Sequence, residues 1–322
     1  MPNTTISSGE QFTLVTASAP RLLFWHTLFI GLNIAILAAG VINGIERMVR
    51  LLMPTLFILM IVMVINAMIN GDFIKGFSFL FSPNFSDVDA TTFLRAMGQA
   101  FFSLSLGMGS IMCYGSYMPQ EENIFKTSLT VAGLDTLIAI LAGLAIFPII
   151  FAYGMEPGAG PGLVFISLLS VFIDMPFGNI IGPAFFILLS IAALSSAISL
   201  LEPSVAYFAE EKITSRFAAA LILGLLAWFI GIGSVLSFNE WSDLAFIGDL
   251  NFLDSMDYLA NQFLMPIGGM MVAIFAGWFL KPNLALDEFS NVQLKVFHVW
   301  RFFIRYISPT LVAAVFIYQL AS

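Results

Sequence analysis

Charged residues interrupt this chain so rarely that apolar runs of about twenty residues stand between them, the length that crosses a bilayer as an α-helix. Reading from charge to charge predicts eight membrane spans, near 23–40, 51–69, 95–118, 127–153, 181–208, 217–238, 258–280 and 302–320. The short alternating segments of an outer-membrane barrel do not occur. One span departs from the rest: residues 101–118, FFSLSLGMGSIMCYGSYM, carry Ser103, Ser105, Gly107 and Gly109 in an otherwise apolar run. Glycine weakens a helix interior, and serine offers the backbone competing hydrogen bonds. The pattern predicts a helix that breaks at membrane depth. Unwound backbone is tolerated there where it lines a cavity, and its freed carbonyls and amides suit an ion and a zwitterion. A plain kink for helix packing is the alternative.

Composition agrees with the hydropathy pattern and narrows the chemistry. The chain is 59% hydrophobic and 10% charged, with 34 Phe, too little charge to cover a soluble domain. Cys113 is the single cysteine, which excludes a disulfide framework or a cysteine-based metal site. His26 and His298 lie far apart without ligand spacing. The net charge of −8 is spread through loops and forms no patch for nucleic acid. An intramembrane enzyme needs a nucleophile–base pair or a metal constellation, and the pattern offers neither.

Basic residues set the orientation, because cytoplasmic loops retain Lys and Arg. Threading the eight spans puts Arg47, Arg50, Lys126, Lys212, Arg216, Lys281, Lys295, Arg301 and Arg305 on one side, and Arg21, Lys75 and Arg95 on the other. The first side is therefore cytoplasmic, and both ends of the chain are external. Residues 1–22 read as an external polar segment without the basic start of a signal peptide. An external start follows naturally after an odd number of earlier helices, so the expectation is a carboxy-terminal part of a larger transporter-like protein.

Two carboxylates fall inside spans, Asp135 and Glu202, where ionisable groups are costly and mark ion or substrate paths. Asp135 lies about eight residues, roughly 12 Å, from the cytoplasmic end of its helix, close to the depth of Gly107. Ala192, Ser195, Ser199 and Glu202 recur at three- and four-residue steps on one face of the span 181–208, with Ser196 beside them. Such a stripe serves close helix packing. Its oxygens also suit a hard cation such as sodium.

At these residues the chain resembles the neurotransmitter:sodium symporters, and the likeness runs over nearly all of residues 20–321. The run 101–118 resembles the family's broken sixth helix, and NGIERMVRLLMPTLF at 43–57 its fourth-to-fifth connection. DTLIAILAGLAIFP at 135–148 is similar to the seventh helix, and EPGAGPGLVF at 156–165 to the external loop that follows. AALSSAISLLEP at 192–203 resembles the eighth helix, and LDSMDYLAN at 253–261 the start of the tenth. The resemblance implies an all-α membrane protein of about eight transmembrane helices, part of an inverted-repeat, leucine-transporter-type fold. Residues 23–322 would form one transmembrane domain, with the end of a first repeat at 23–69, a second repeat at 95–280 and an extra helix at 302–320.

Roles follow from the resemblance position by position. Phe102 corresponds to an aromatic lid over the substrate, and Ser103 to a hydroxyl shared by the substrate and the first sodium ion. Ser105, Met108, Ser196 and Leu200 correspond to pocket positions, and Ala192, Ser195 and Ser196 to a second sodium site. Gln99 and Asp257, with Phe102, correspond to the external gate, and Tyr117 and Glu210 to the cytoplasmic one. Asp135 stands where many members place an asparagine sodium ligand. The family's first helix, the third-helix tyrosine and both amino-terminal gate partners have no counterpart, so each of the two sodium sites would be incomplete in this chain. The implied function is a sodium-coupled, chloride-independent symporter of a small amino acid or related zwitterion. It would work by alternating access as a multi-pass protein of the cell (inner) membrane, with the lipid bilayer and the missing amino-terminal helices as partners. The alternative is a non-transporting membrane fragment or subunit that requires an amino-terminal half.

Overall fold

The computed structural model describes residues 8–119, 122–156, 162–288 and 294–321. Their backbone is helical, and the chain divides into two compact units: residues 1–83 with 138–253, and residues 84–137 with 254–322. Seven helices among the described residues are long and apolar enough to cross a membrane: Ala19–Ala38, Val41–Asn70, Ile124–Ala152, Gly178–Glu210, Arg216–Leu236, Phe252–Phe279 and Leu294–Tyr318. The eighth expected span, 95–118, is not continuous. It consists of the helices Ala90–Ser103 and Ser110–Ser116 with an unwound stretch between them.

In the first unit, Ala19–Ala38 packs along Arg216–Leu236 at close range because small residues line the contact. A Cβ on Gly224 would meet Ile34 at 2.2 Å, and one on Gly231 would meet the His26 ring at 2.4 Å. Polar groups are paired across the same seam. The His26 Nε2 lies 3.0 Å from the Trp228 carbonyl, and Trp228 Nε1 donates to Thr27 Oγ1 at 2.9 Å. The unit's core is built from Met63, Ala67, Ile149, Ile150, Val171 and Phe172. The Pro148 carbonyl accepts from the Asp72 amide at 2.8 Å, which ties the segment after Val41–Asn70 to Ile124–Ala152. Residues 1–22, read as polar and external, form a short helix Ser8–Thr16 before Ala19–Ala38 begins, with residues 1–7 outside the described part. Phe12 stacks on Phe165, and Asn239 Nδ2 donates to the Thr16 carbonyl at 3.0 Å, which ties this helix down.

The second unit centres on the broken element and the helix Met265–Ile274. Backbone meets backbone here. A Cβ on Gly107 would come within 2.5 Å of the Gly269 nitrogen and the Met265 carbonyl oxygen, and one on Gly268 within 2.4 Å of the Gly107 carbonyl oxygen. Glycines on both sides are what let the unwound stretch rest on the helix.

Candidate functional site: an unwound helix facing a carboxylate

The break is built by local backbone chemistry at both ends. Asp89 starts the outer helix as its N-cap, accepting from the Thr92 amide at 2.7 Å in a reciprocal capping box. Hydrogen bonds from Thr91 and Thr92 hold its carboxyl low, at about 2. The helix ends with Ser105 in the left-handed region at φ 52°. The Ser105 amide donates to the Phe102 carbonyl at 3.0 Å and the Leu106 amide to the Phe101 carbonyl at 2.9 Å. That is a Schellman end, with serine where glycine is usual. Gly107 and Gly109 follow, both at φ 83°, and Gly109 caps the inner helix Ser110–Ser116. Three left-handed residues in five cannot continue a helix.

Ser103, the last residue of the outer helix, donates its hydroxyl to Asp135 Oδ2 at 2.9 Å. The two residues are 32 apart in sequence, and Asp135 is half-buried on the helix Ile124–Ala152. A hydroxyl oxygen and a carboxylate therefore meet beside the free end of a broken helix, all within the second unit. Met108 and Ser105 lie half-buried in the unwound stretch, whereas Phe102 is exposed. Gln99 is exposed on the outer helix. Asp257 accepts from Asn261 Nδ2 at 2.7 Å on its own helix. At the other end of the element, Cys113 Sγ donates to Tyr117 Oη at 3.5 Å.

The first unit carries the serine stripe on Gly178–Glu210. Ser195 donates to the Ala192 carbonyl and Ser199 to the Ser195 carbonyl, both at 2.9 Å. Ala192 is half-buried, while Ser196 and Leu200 are exposed, and Glu210 is exposed at the helix end. Glu202, at the end of that stripe, has a charged partner from another helix. It is fully buried and accepts from Arg216 Nη2 at 2.5 Å, while Arg216 Nε donates to the Leu37 carbonyl at 2.9 Å. The ion pair joins the ends of three helices. The sequence signal for it was an acid and a base on either side of one helical hairpin, which spacing alone does not pair. Among the described residues no three His, Cys, Asp or Glu side chains cluster. A cation beside Ser103 would be met by a hydroxyl, the carbonyls of the unwound stretch and the Asp135 carboxylate, the donor set of a hard ion.

Residues 18–322 match the sodium:neurotransmitter symporter family. The chain belongs to that family. Among its relatives, an uncharacterised sodium-dependent transporter of Bacillus subtilis is 33% identical over 96% of this chain and 69% of its own length. Another, of Haemophilus influenzae, is 36% identical over 93% of this chain and 66% of its own length. Among solved structures, the crystal structure of MhsT in complex with L-phenylalanine superposes with a TM-score of 0.87 at 43% identity, covering 97% of this chain and 71% of MhsT. The chain thus spans about two thirds to seven tenths of these proteins. It is a multi-pass membrane protein of a family of sodium-dependent transporters, not of enzymes. In bacteria such as those two, that membrane is the inner one. As a symporter-family member, the chain has a fold matching the inverted-repeat reading of its sequence, broken helix included.

Proposed function

We propose that the chain forms part of a sodium-coupled symporter of a small amino acid or related zwitterion, working by alternating access without chloride. One observation carries the reading: a hydroxyl and a carboxylate, Ser103 and Asp135, joined at 2.9 Å beside a helix unwound by three left-handed residues. Unwound backbone supplies directed carbonyls and amides at membrane depth, and the carboxylate supplies a fixed negative charge. A cation in a low-dielectric site without a nearby negative charge is strongly disfavoured. Asp135, at the cation position, does for charge balance what a bound anion does elsewhere. Ser103 serves both the substrate and the first sodium ion. Ala192, Ser195 and Ser196 serve the second, together with groups from the rest of the full-length protein. Ser105, Met108 and Leu200 favour an apolar side chain on the substrate under the Phe102 lid. Gln99 and Asp257 gate the outside, and Tyr117 and Glu210 the inside. L-Phenylalanine, which MhsT holds, is the first substrate to test.

Uptake into proteoliposomes by the full-length protein tests the reading. An inward sodium gradient should drive uptake, and replacing chloride with gluconate should leave it unchanged. Asp135→Asn keeps an oxygen and removes the charge, so it should abolish uptake or make it require chloride. Chloride-independent uptake retained by Asp135→Asn would reduce the carboxylate to a helix–helix hydrogen bond. Uptake indifferent to the sodium gradient would remove the proposal.

A further inference from the structure

Arg305 stands within the last membrane helix, Leu294–Tyr318, with a guanidinium that no described residue hydrogen-bonds, and its Nε is buried without a partner. The side chain is nevertheless held in place. Arg305 belongs to a π-helical turn, Phe303–Ile307, that packs against a second π-helical turn, Phe275–Phe279, at the end of the preceding membrane helix. Gly277 allows the approach, since a Cβ there would fall 2.9 Å from the Arg305 Cα. Pro309 has no amide hydrogen to give the Arg305 carbonyl four residues earlier. Trp278 Nε1 donates to that carbonyl at 3.1 Å, and its ring carries the guanidinium 4.6 Å from the ring centre. One tryptophan thus meets both the carbonyl and the cation of the same residue. π-Turns recur at functional sites, and here two of them are used to aim one arginine.

The surroundings identify the chemistry that this arginine awaits. Trp278 is 50% exposed and Tyr306 is 47% exposed, and the two rings meet edge-on at 5.6 Å. Trp278 lies at the end of Phe252–Phe279, and a tryptophan at a helix end is a side chain of the headgroup level of a bilayer. Residues 281–305 hold Lys281, Lys295, Arg301 and Arg305 against Asp287 and Glu288, an excess of two positive charges. This is the side of the chain that retains most of the basic residues, and the cytoplasmic leaflet carries the anionic lipids. A planar guanidinium with open donors matches a phosphate through paired hydrogen bonds. We propose that Arg305 on Trp278, with Lys281 nearby in sequence, forms a binding site for the phosphate of an anionic phospholipid such as phosphatidylglycerol. A bound headgroup would fix the π–π contact between the last two helices of the second unit.

Native mass spectrometry of the full-length protein, titrated with phosphatidylglycerol and with phosphatidylcholine, tests the site. Wild-type protein should bind one phosphatidylglycerol more tightly than phosphatidylcholine, by about fivefold for the Arg305 charge alone. Arg305→Gln should bring that ratio close to one. Arg305→Lys should keep part of it, because the charge remains and the planar pairing is lost. Excess inorganic phosphate should not displace the lipid. The proposal is overturned if wild-type protein does not distinguish the two lipids, which needs no variant to fold. It is also overturned if Arg305→Gln retains the preference, or if inorganic phosphate competes at concentrations comparable to the lipid, which would make the ligand a soluble anion.

Discussion

At the scale of single residues, Glu202 and Asp135 show how two carboxylates within one membrane acquire different work. Glu202 is fully buried with a cation in contact, and Arg216 is itself only 22% exposed. Removing one partner of such a pair leaves the other charge buried and uncompensated, at a cost of about 3 kcal/mol, the low end for a pair of which one member keeps some solvent. Glu202→Gln should therefore lower the denaturation midpoint of the detergent-purified protein. Replacing both partners with methionine should recover most of the loss, because neither charge then needs a partner. An unchanged midpoint for Glu202→Gln would show the pair to be dispensable. Asp135, in contrast, meets a neutral hydroxyl and no cation among the described residues. The sequence placed both acids inside spans, but nothing in the serine-stripe periodicity announced a basic partner for Glu202. Its partner lies 14 residues on, beyond a turn, and only tertiary packing brings the two together.

At the scale of elements, the broken helix was legible in sequence because glycine is punctuation that hydropathy does not mask. Gly107 and Gly109 mark the stretch, and Ser103 at its edge meets Asp135. Ser105 was legible only as a hydroxyl. Nothing in a serine announces a left-handed helix end, which the Schellman bonds from Ser105 and Leu106 hold in place. The π-turns Phe275–Phe279 and Phe303–Ile307 escaped for a similar reason, since their contact depends on Gly277 meeting a neighbouring helix. Ser8–Thr16 escaped because its order comes from Phe12 and Thr16 contacting distant residues. The fit of Gly107 against Met265 and Gly269 yields a sharp expectation. Alanine there faces a left-handed backbone costing roughly 1–2 kcal/mol, and in addition its Cβ would sit 2.5 Å from backbone atoms that cannot rotate away. Gly107→Ala should lose most uptake while still reaching the membrane, as judged by monodisperse elution in detergent. Gly115→Ala, with nothing within 4 Å of its Cβ, should keep it. Equal uptake by both variants would mean that the break tolerates displacement and does not set the site.

At the scale of the whole molecule, orientation connects the sites. Nine of the twelve basic residues fall on one side when the spans are threaded, and a loop rich in Lys and Arg resists translocation. Lys212 is the informative position. It is exposed in the short turn between Gly178–Glu210 and Arg216–Leu236, next to the helix ends joined by the Glu202–Arg216 pair. A cysteine at Lys212, with Cys113 replaced first, should ignore an impermeant thiol reagent applied to intact cells and react once the cells are opened. A cysteine at Asp243, in the 239–257 loop expected outside, should react in intact cells. The opposite pattern would invert the molecule. Tyr117 and Glu210 would then lie toward the outside, and Arg305 would meet the outer leaflet, where anionic headgroups are scarce. The direction of sodium entry relative to the Gln99 and Asp257 positions would reverse with them. The labelling pattern is therefore a joint test of the gate assignment and of the lipid site, and both stand only if Lys212 is protected from outside.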